Sequence, residues 1–120
     1  MFSFMNDYSE KRDLALLRAV QLIIEANPNP VQYVKIGQES FIRTLSGGLG
    51  RSKPFFSKKA ETMSFLEMTS ILRKCSNFGK RSIAETLSAA YAATGKSRES
   101  GEILLKIAYE SDIPRNYLTL

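Results

Sequence analysis

Four cations, Arg51, Lys53, Lys58 and Lys59, flank two adjacent phenylalanines, Phe55 and Phe56, in the stretch from Ser46 to Lys59, SGGLGRSKPFFSKK. Cations at this density, beside backbone donors freed by Gly47, Gly48 and Gly50, suit contact with phosphate oxygens, which asks for mobile positive charge rather than a shaped pocket. No Asp or Glu stands between Glu39 and Glu61 to offset them. A second basic group, Arg73, Lys74, Lys80 and Arg81, follows. Residues 1–42 hold four bases and five acids, and residues 82–120 hold the same. Residues 43–81 hold nine bases against Glu61 and Glu67, so the middle third, at +7, sets the net charge of +5. A field of one sign confined to one segment points to a polyanionic partner. Phe55 and Phe56 are candidate stacking residues for unpaired bases, although an FF pair before a helix also anchors a loop into a core.

Other chemistries lack their parts. The chain has no histidine, which removes the commonest general base, the commonest zinc ligand and the usual partner of a serine or cysteine nucleophile. Its one cysteine, Cys75, excludes an internal disulfide, and its place on an apolar helix face reads as a buried structural thiol. The sequence therefore predicts no enzyme, no cofactor and no metal site. At 120 residues, 43% hydrophobic and 24% charged, it reads as one soluble domain, residues 1–120. The opening MFSFM is too short for a signal-peptide core, and no apolar run approaches 18 residues, so a cytoplasmic location and no membrane contact are expected.

The elements that must hold the basic stretch read as helices. Asp7 and Glu10 resemble a capping box, and Lys11 to Ala26 confines polarity to a narrow strip of Lys11, Arg18, Gln21 and Glu25. Such a helix is buried by its neighbours. Pro28 and Pro30 end it. A second helix over Val31 to Leu45 is preferred to a short strand through QYVKI, which would lack a partner. After the glycine-rich basic loop, Ser57 is placed as the cap of one helix running to about Lys74, with Phe65, Met68, Ile71, Leu72 and Cys75 on its buried face. Its ends would lie roughly 27 Å apart, with a basic cluster at each. Ser76 to Gly79 reads as a break. Helices over Lys80 to Thr94 and Ser97 to Ser111 complete the chain, parted by Gly95. The fold class is thus all-α, a compact single-domain bundle of about five helices with one Gly-rich basic loop.

The last pair carries three resemblances. Ala90 to Ser97 satisfies a relaxed phosphate-loop pattern, but that mechanism requires a preceding strand and SIAETLSAAYAA is helical. Leu87, Tyr91, Gly95, Ser100 and Leu104 stand at the spacing of large, aromatic, turn, small and large positions in a hairpin that resembles one tetratricopeptide repeat. Ala84 and Ser88 depart from that pattern. The resemblance implies two antiparallel helices packed through Ala89, Ala90 and Ala93. The segment from Arg81 to Ser100 is also similar to a helix-turn-helix, with IAETL as first helix, but eleven residues separate Ala84 from Gly95 where the compact motif has four or five.

The sequence accordingly leads to a basic helical protein that binds DNA or RNA through backbone phosphates, with low sequence specificity, alone or as a small subunit of a nucleoprotein complex. The phosphate ligands would be Arg51, Lys53, Lys58, Lys59, Arg73, Lys74, Lys80 and Arg81. The alternative is a protein–protein interaction module, an adaptor or inhibitor that docks this basic face on an acidic protein partner.

Overall fold

The order of elements follows from one apolar helix and the segments that cover it. The computed structural model describes residues 10–48 and 53–120, leaving aside the side chains of Lys53 and Pro54. Among the described residues six α-helices run in chain order: α1 Glu10–Glu25, α2 Gln32–Gly48, α3 Lys53–Glu61, α4 Phe65–Arg73, α5 Asn77–Ala93 and α6 Arg98–Glu110. A turn of 3-10 helix, Arg115–Tyr117, follows. No strand occurs among the described residues. The Cα radius of gyration is 13.3 Å, close to the roughly 13.6 Å expected of one folded domain of this length. No described helix is long and apolar enough to cross a membrane.

Helix α1 is the centre of the described structure and touches each of the other five described helices. Ala15, Leu17, Ala19, Val20 and Ile23 are wholly inaccessible, as the near-continuous apolar surface of this segment requires. The middle of its polar strip faces protein as well, while Lys11 and Glu25 at its ends are exposed. Gln21 is buried and donates from Nε2 to the Ser57 carbonyl at 3.1 Å, and the Arg18 Nε donates to the Met63 carbonyl at 3.2 Å. The strip is where α3 and the α3–α4 turn dock. The Asp7 cap lies outside the described residues.

The single helix expected from Ser57 to Lys74 is two. The break falls at 62–64, where the Ser64 hydroxyl accepts the Glu67 N–H at 3.1 Å and starts α4 afresh. This S-x-x-E cap competes with continuation of α3 and wins, because it lets Met63 turn into the core while Arg18 takes its carbonyl. Helix α3 starts earlier than expected, at Lys53, and Pro54 occupies its first turn, where the missing N–H costs nothing. The glycine-rich loop also shrinks at its other end, since α2 runs through Gly47 and Gly48. The break expected over Ser76 to Gly79 falls at 74–76: Ser76, in extended conformation, accepts the Gly79 N–H at 3.1 Å and caps α5, so Asn77 to Gly79 form its first turn.

Helices α5 and α6 are joined as expected. Gly95 has φ +74°, and the Lys96 N–H reaches back to the Tyr91 carbonyl at 3.2 Å, a Schellman stop. Ser97 caps α6 by accepting the Ser100 N–H at 3.2 Å. Of the small residues assigned to the α5–α6 contact, Ala90 is buried, Ala93 is half-buried and Ala89 is exposed. The close approach is made instead at Gly101, where an added Cβ would lie 3.2 Å from the Tyr91 ring. Helix α5 is continuous for 17 residues, so the helix-turn-helix similarity does not hold in three dimensions.

Candidate nucleic-acid interface

Helix α3 splits the phenylalanine pair. Phe56 and Ala60, four residues apart, point into the core, and Phe56 is 5% exposed. Consecutive helical residues point about 100° apart, so Phe55 must face outward, and it is 81% exposed. Lys58, Lys59 and Thr62 follow Phe55 at i+3, i+4 and i+7 and share its face. Of the described residues, these four line an open depression of about 580 Å³. That volume falls within the range of small-ligand sites.

The two lysines differ in their engagement. Lys59 Nζ lies 3.1 Å from Glu10 Oε2, an exposed pair that closes the seam between α1 and α3. Lys58 is exposed and has no ionic partner among the described residues. Lys59 also lines a smaller depression of about 230 Å³ on its other side, shared with Glu10, Lys11 and Glu67. Exposed ion pairs contribute about 0–1 kcal/mol, so Lys59 can exchange Glu10 for another anion at little cost. Lys53 belongs to the same helix, and Arg51 lies outside the described residues.

The second basic group is arranged otherwise. Arg73, at the end of α4, donates from Nε and Nη2 to the Glu110 carbonyl at 3.3 and 3.2 Å, satisfying an orphan acceptor at the end of α6. Lys80 is only 7% exposed, and its Nζ lies 3.6 Å from Asp112 Oδ2. The Arg81 guanidinium sits 4.2 Å from the centre of the Tyr117 ring. Lys74, the C-cap of α4, is exposed and without an ionic partner among the described residues. The eight cations therefore do not form one row on one helix. Lys58 and Lys59 share a face with an open aromatic, whereas Arg73, Lys80 and Arg81 hold the segment after α6. Glu10, Asp112 and Tyr117, which decide the engagement of three of these cations, are far from them in sequence and carry no local signal.

A third depression, of about 290 Å³, separates α2 from α5 and is lined by Phe41, Thr44, Leu45, Glu85, Thr86 and Ala89. It has no cation. Among the described residues no group of three or more Cys, Asp or Glu side chains is placed to hold a metal ion. No family model, curated protein or solved structure matches this chain.

Proposed function

We propose that this protein binds nucleic acid through the outer face of α3, with Lys58 and Lys59 on backbone phosphates and Phe55 against an unpaired base. One observation carries the reading: a large aromatic ring, 81% exposed, shares a helical face with two lysines over an open depression. Exposing a phenylalanine this fully forgoes burial worth about 1.5–3 kcal/mol, which a stacked base would recover. Cations three and four residues from the ring reach phosphates on either side of that base. Recognition of this kind is tolerant of sequence, because every base has a π-face. Arg51 and Lys53 extend the charge along the chain.

A protein partner is the second reading, favoured by other exposed apolar side chains. Tyr33 and Ile36 on α2, Leu66 on α4 and Phe78 on α5 are all more than half exposed. An acidic peptide with an apolar anchor would use Phe55 and its lysines in the same way.

Binding of labelled single-stranded and duplex oligonucleotides across a salt series separates these readings, with a Lys58→Glu/Lys59→Glu variant alongside. Four neutralised phosphates would weaken duplex binding roughly a hundredfold between 50 and 200 mM salt. The expected result is tighter binding of the single strand, with a slope that flattens in the variant. A folded variant that binds as the natural protein does removes α3 from the site, and no binding of either oligonucleotide at low salt leaves the acidic-partner reading.

A further inference from the structure

The segment after α6 makes an unusual set of contacts with the second basic group. Helix α6 stops in a Schellman turn, with Asp112 at φ +56° and the Ile113 N–H on the Ala108 carbonyl at 2.9 Å. Ile113 is buried and anchors the segment. The chain then lies along α5: Asp112 meets Lys80, Tyr117 meets Arg81, the Thr119 N–H donates to the Ser88 Oγ at 2.9 Å, and Lys96 Nζ donates to the Leu120 carbonyl at 3.3 Å. What α5 presents to this segment is an ammonium for an oxyanion and a guanidinium plane for a flat ring.

We propose that Lys80 and Arg81, supported by Arg73, form a second binding site for single-stranded nucleic acid, occupied in this structure by the chain's own residues 112–117. Asp112 stands where a phosphate would lie, and Tyr117 stands where a base would stack. A nearly buried ammonium needs a counterion, and Asp112 supplies it from a side chain that is itself 76% exposed, so a phosphate has access to the same cation. The guanidinium stacks on a base as it does on the tyrosine ring. Arg73 holds the Glu110 carbonyl and Ile113 stays anchored in the core, so what yields to the ligand is the exposed Asp112 side chain, which rotates off Lys80, and the chain from Pro114 onward. The site rests on the nucleic-acid reading of α3 for its ligand class, but not for its residues.

The test uses the whole chain, fluorescein-labelled oligo-thymidylate as the probe, and hydrogen exchange of the Leu118 and Thr119 amides as a readout independent of affinity. Oligo-thymidylate is expected to speed exchange at both amides in the natural protein. An Asp112→Asn/Tyr117→Leu variant keeps a residue that tolerates positive φ at 112 and an apolar one at 117, while removing both stand-ins. It should bind about tenfold more tightly at about 50 mM salt, with a slope steeper by about 0.7 for each cation released. Adding Arg81→Gln to that variant should cancel most of the gain. If the natural protein binds but the amides are unmoved and the folded variant gains nothing, the second site is refuted while the α3 reading stands. If only the variant binds, α3 is refuted and the second site stands, and if neither binds, both are refuted. Should the double variant not fold, Asp112→Asn alone and the exchange arm on the natural protein decide the same question.

Discussion

Phe55→Ala and Phe56→Ala, adjacent and chemically identical changes, should fail in opposite assays. Phe56 is 5% exposed and belongs to the core that α1 organises, so truncation removes a buried ring and leaves a cavity, at a cost of about 3–5 kcal/mol. A domain of this size loses roughly 3–5 °C in Tm per kcal/mol, so Phe56→Ala should melt at least about 10 °C lower. Phe55 is 81% exposed, and its truncation should change stability by no more than about 0.5 kcal/mol. The same truncation removes the stacking surface, worth about 1–3 kcal/mol per base, or roughly 5- to 150-fold in affinity for oligo-thymidylate. Urea unfolding followed by circular dichroism reads the first quantity, and fluorescence anisotropy at fixed salt reads the second. A Phe55→Ala protein that binds single strands undiminished would refute the stacking role. One destabilised by more than about 1.5 kcal/mol would mean that the ring is packed and that the face described above is not open.

Substitutions at three further positions probe how the helices are capped and joined. Ser64→Ala removes the hydroxyl that accepts the Glu67 N–H and restarts the chain as α4, and should cost about 1 kcal/mol in urea unfolding. Ser100→Ala should cost about 1–3 kcal/mol, because its wholly buried hydroxyl donates to the Ile23 carbonyl at 2.6 Å while Asn27, four residues on, turns its N–H to Ile24. Gly95→Ala places a Cβ at φ +74° with no steric neighbour within 4 Å, so the expected loss of about 1–2 kcal/mol is backbone strain alone, and Gly95→Asn should recover part of it.

The helical class was readable because it is written locally. In α1, polarity is confined to a strip, and Ser97 and Gly95 are punctuation marks that any chain would use in the same way. The division of residues 53–73 was also written, as Ser64-Phe65-Leu66-Glu67, but the apolar spacing from Phe65 to Leu72 fits one long helix equally well. Only the docking of Met63 and its carbonyl against α1 decides between them. The glycines at 47 and 48 misled for a related reason: they permit a loop without compelling one, and Phe41, Ile42 and Leu45 pack α2 firmly enough to carry the helix past them. The basic residues show the sharpest contrast. Lys58 and Lys80 look alike in sequence, each in a run of two cations. One is exposed and the other nearly buried because Asp112 lies 32 positions from Lys80 and folds back onto it. Long-range pairing of that kind leaves no periodicity to read.

The position of α1 has a consequence for how the protein is made. Every other described helix packs on it, so the described core cannot be completed without it, and it is the first described helix to leave the ribosome. From the end of α1 to the end of α6 is 85 residues, Glu25 to Glu110, which takes roughly 4–17 s at ordinary rates of synthesis. Throughout that interval a helix apolar around most of its circumference is without its partners. Newly made chains should therefore lean on holding chaperones until α6 emerges, and any message truncated before α6 should yield an aggregate and not a smaller domain.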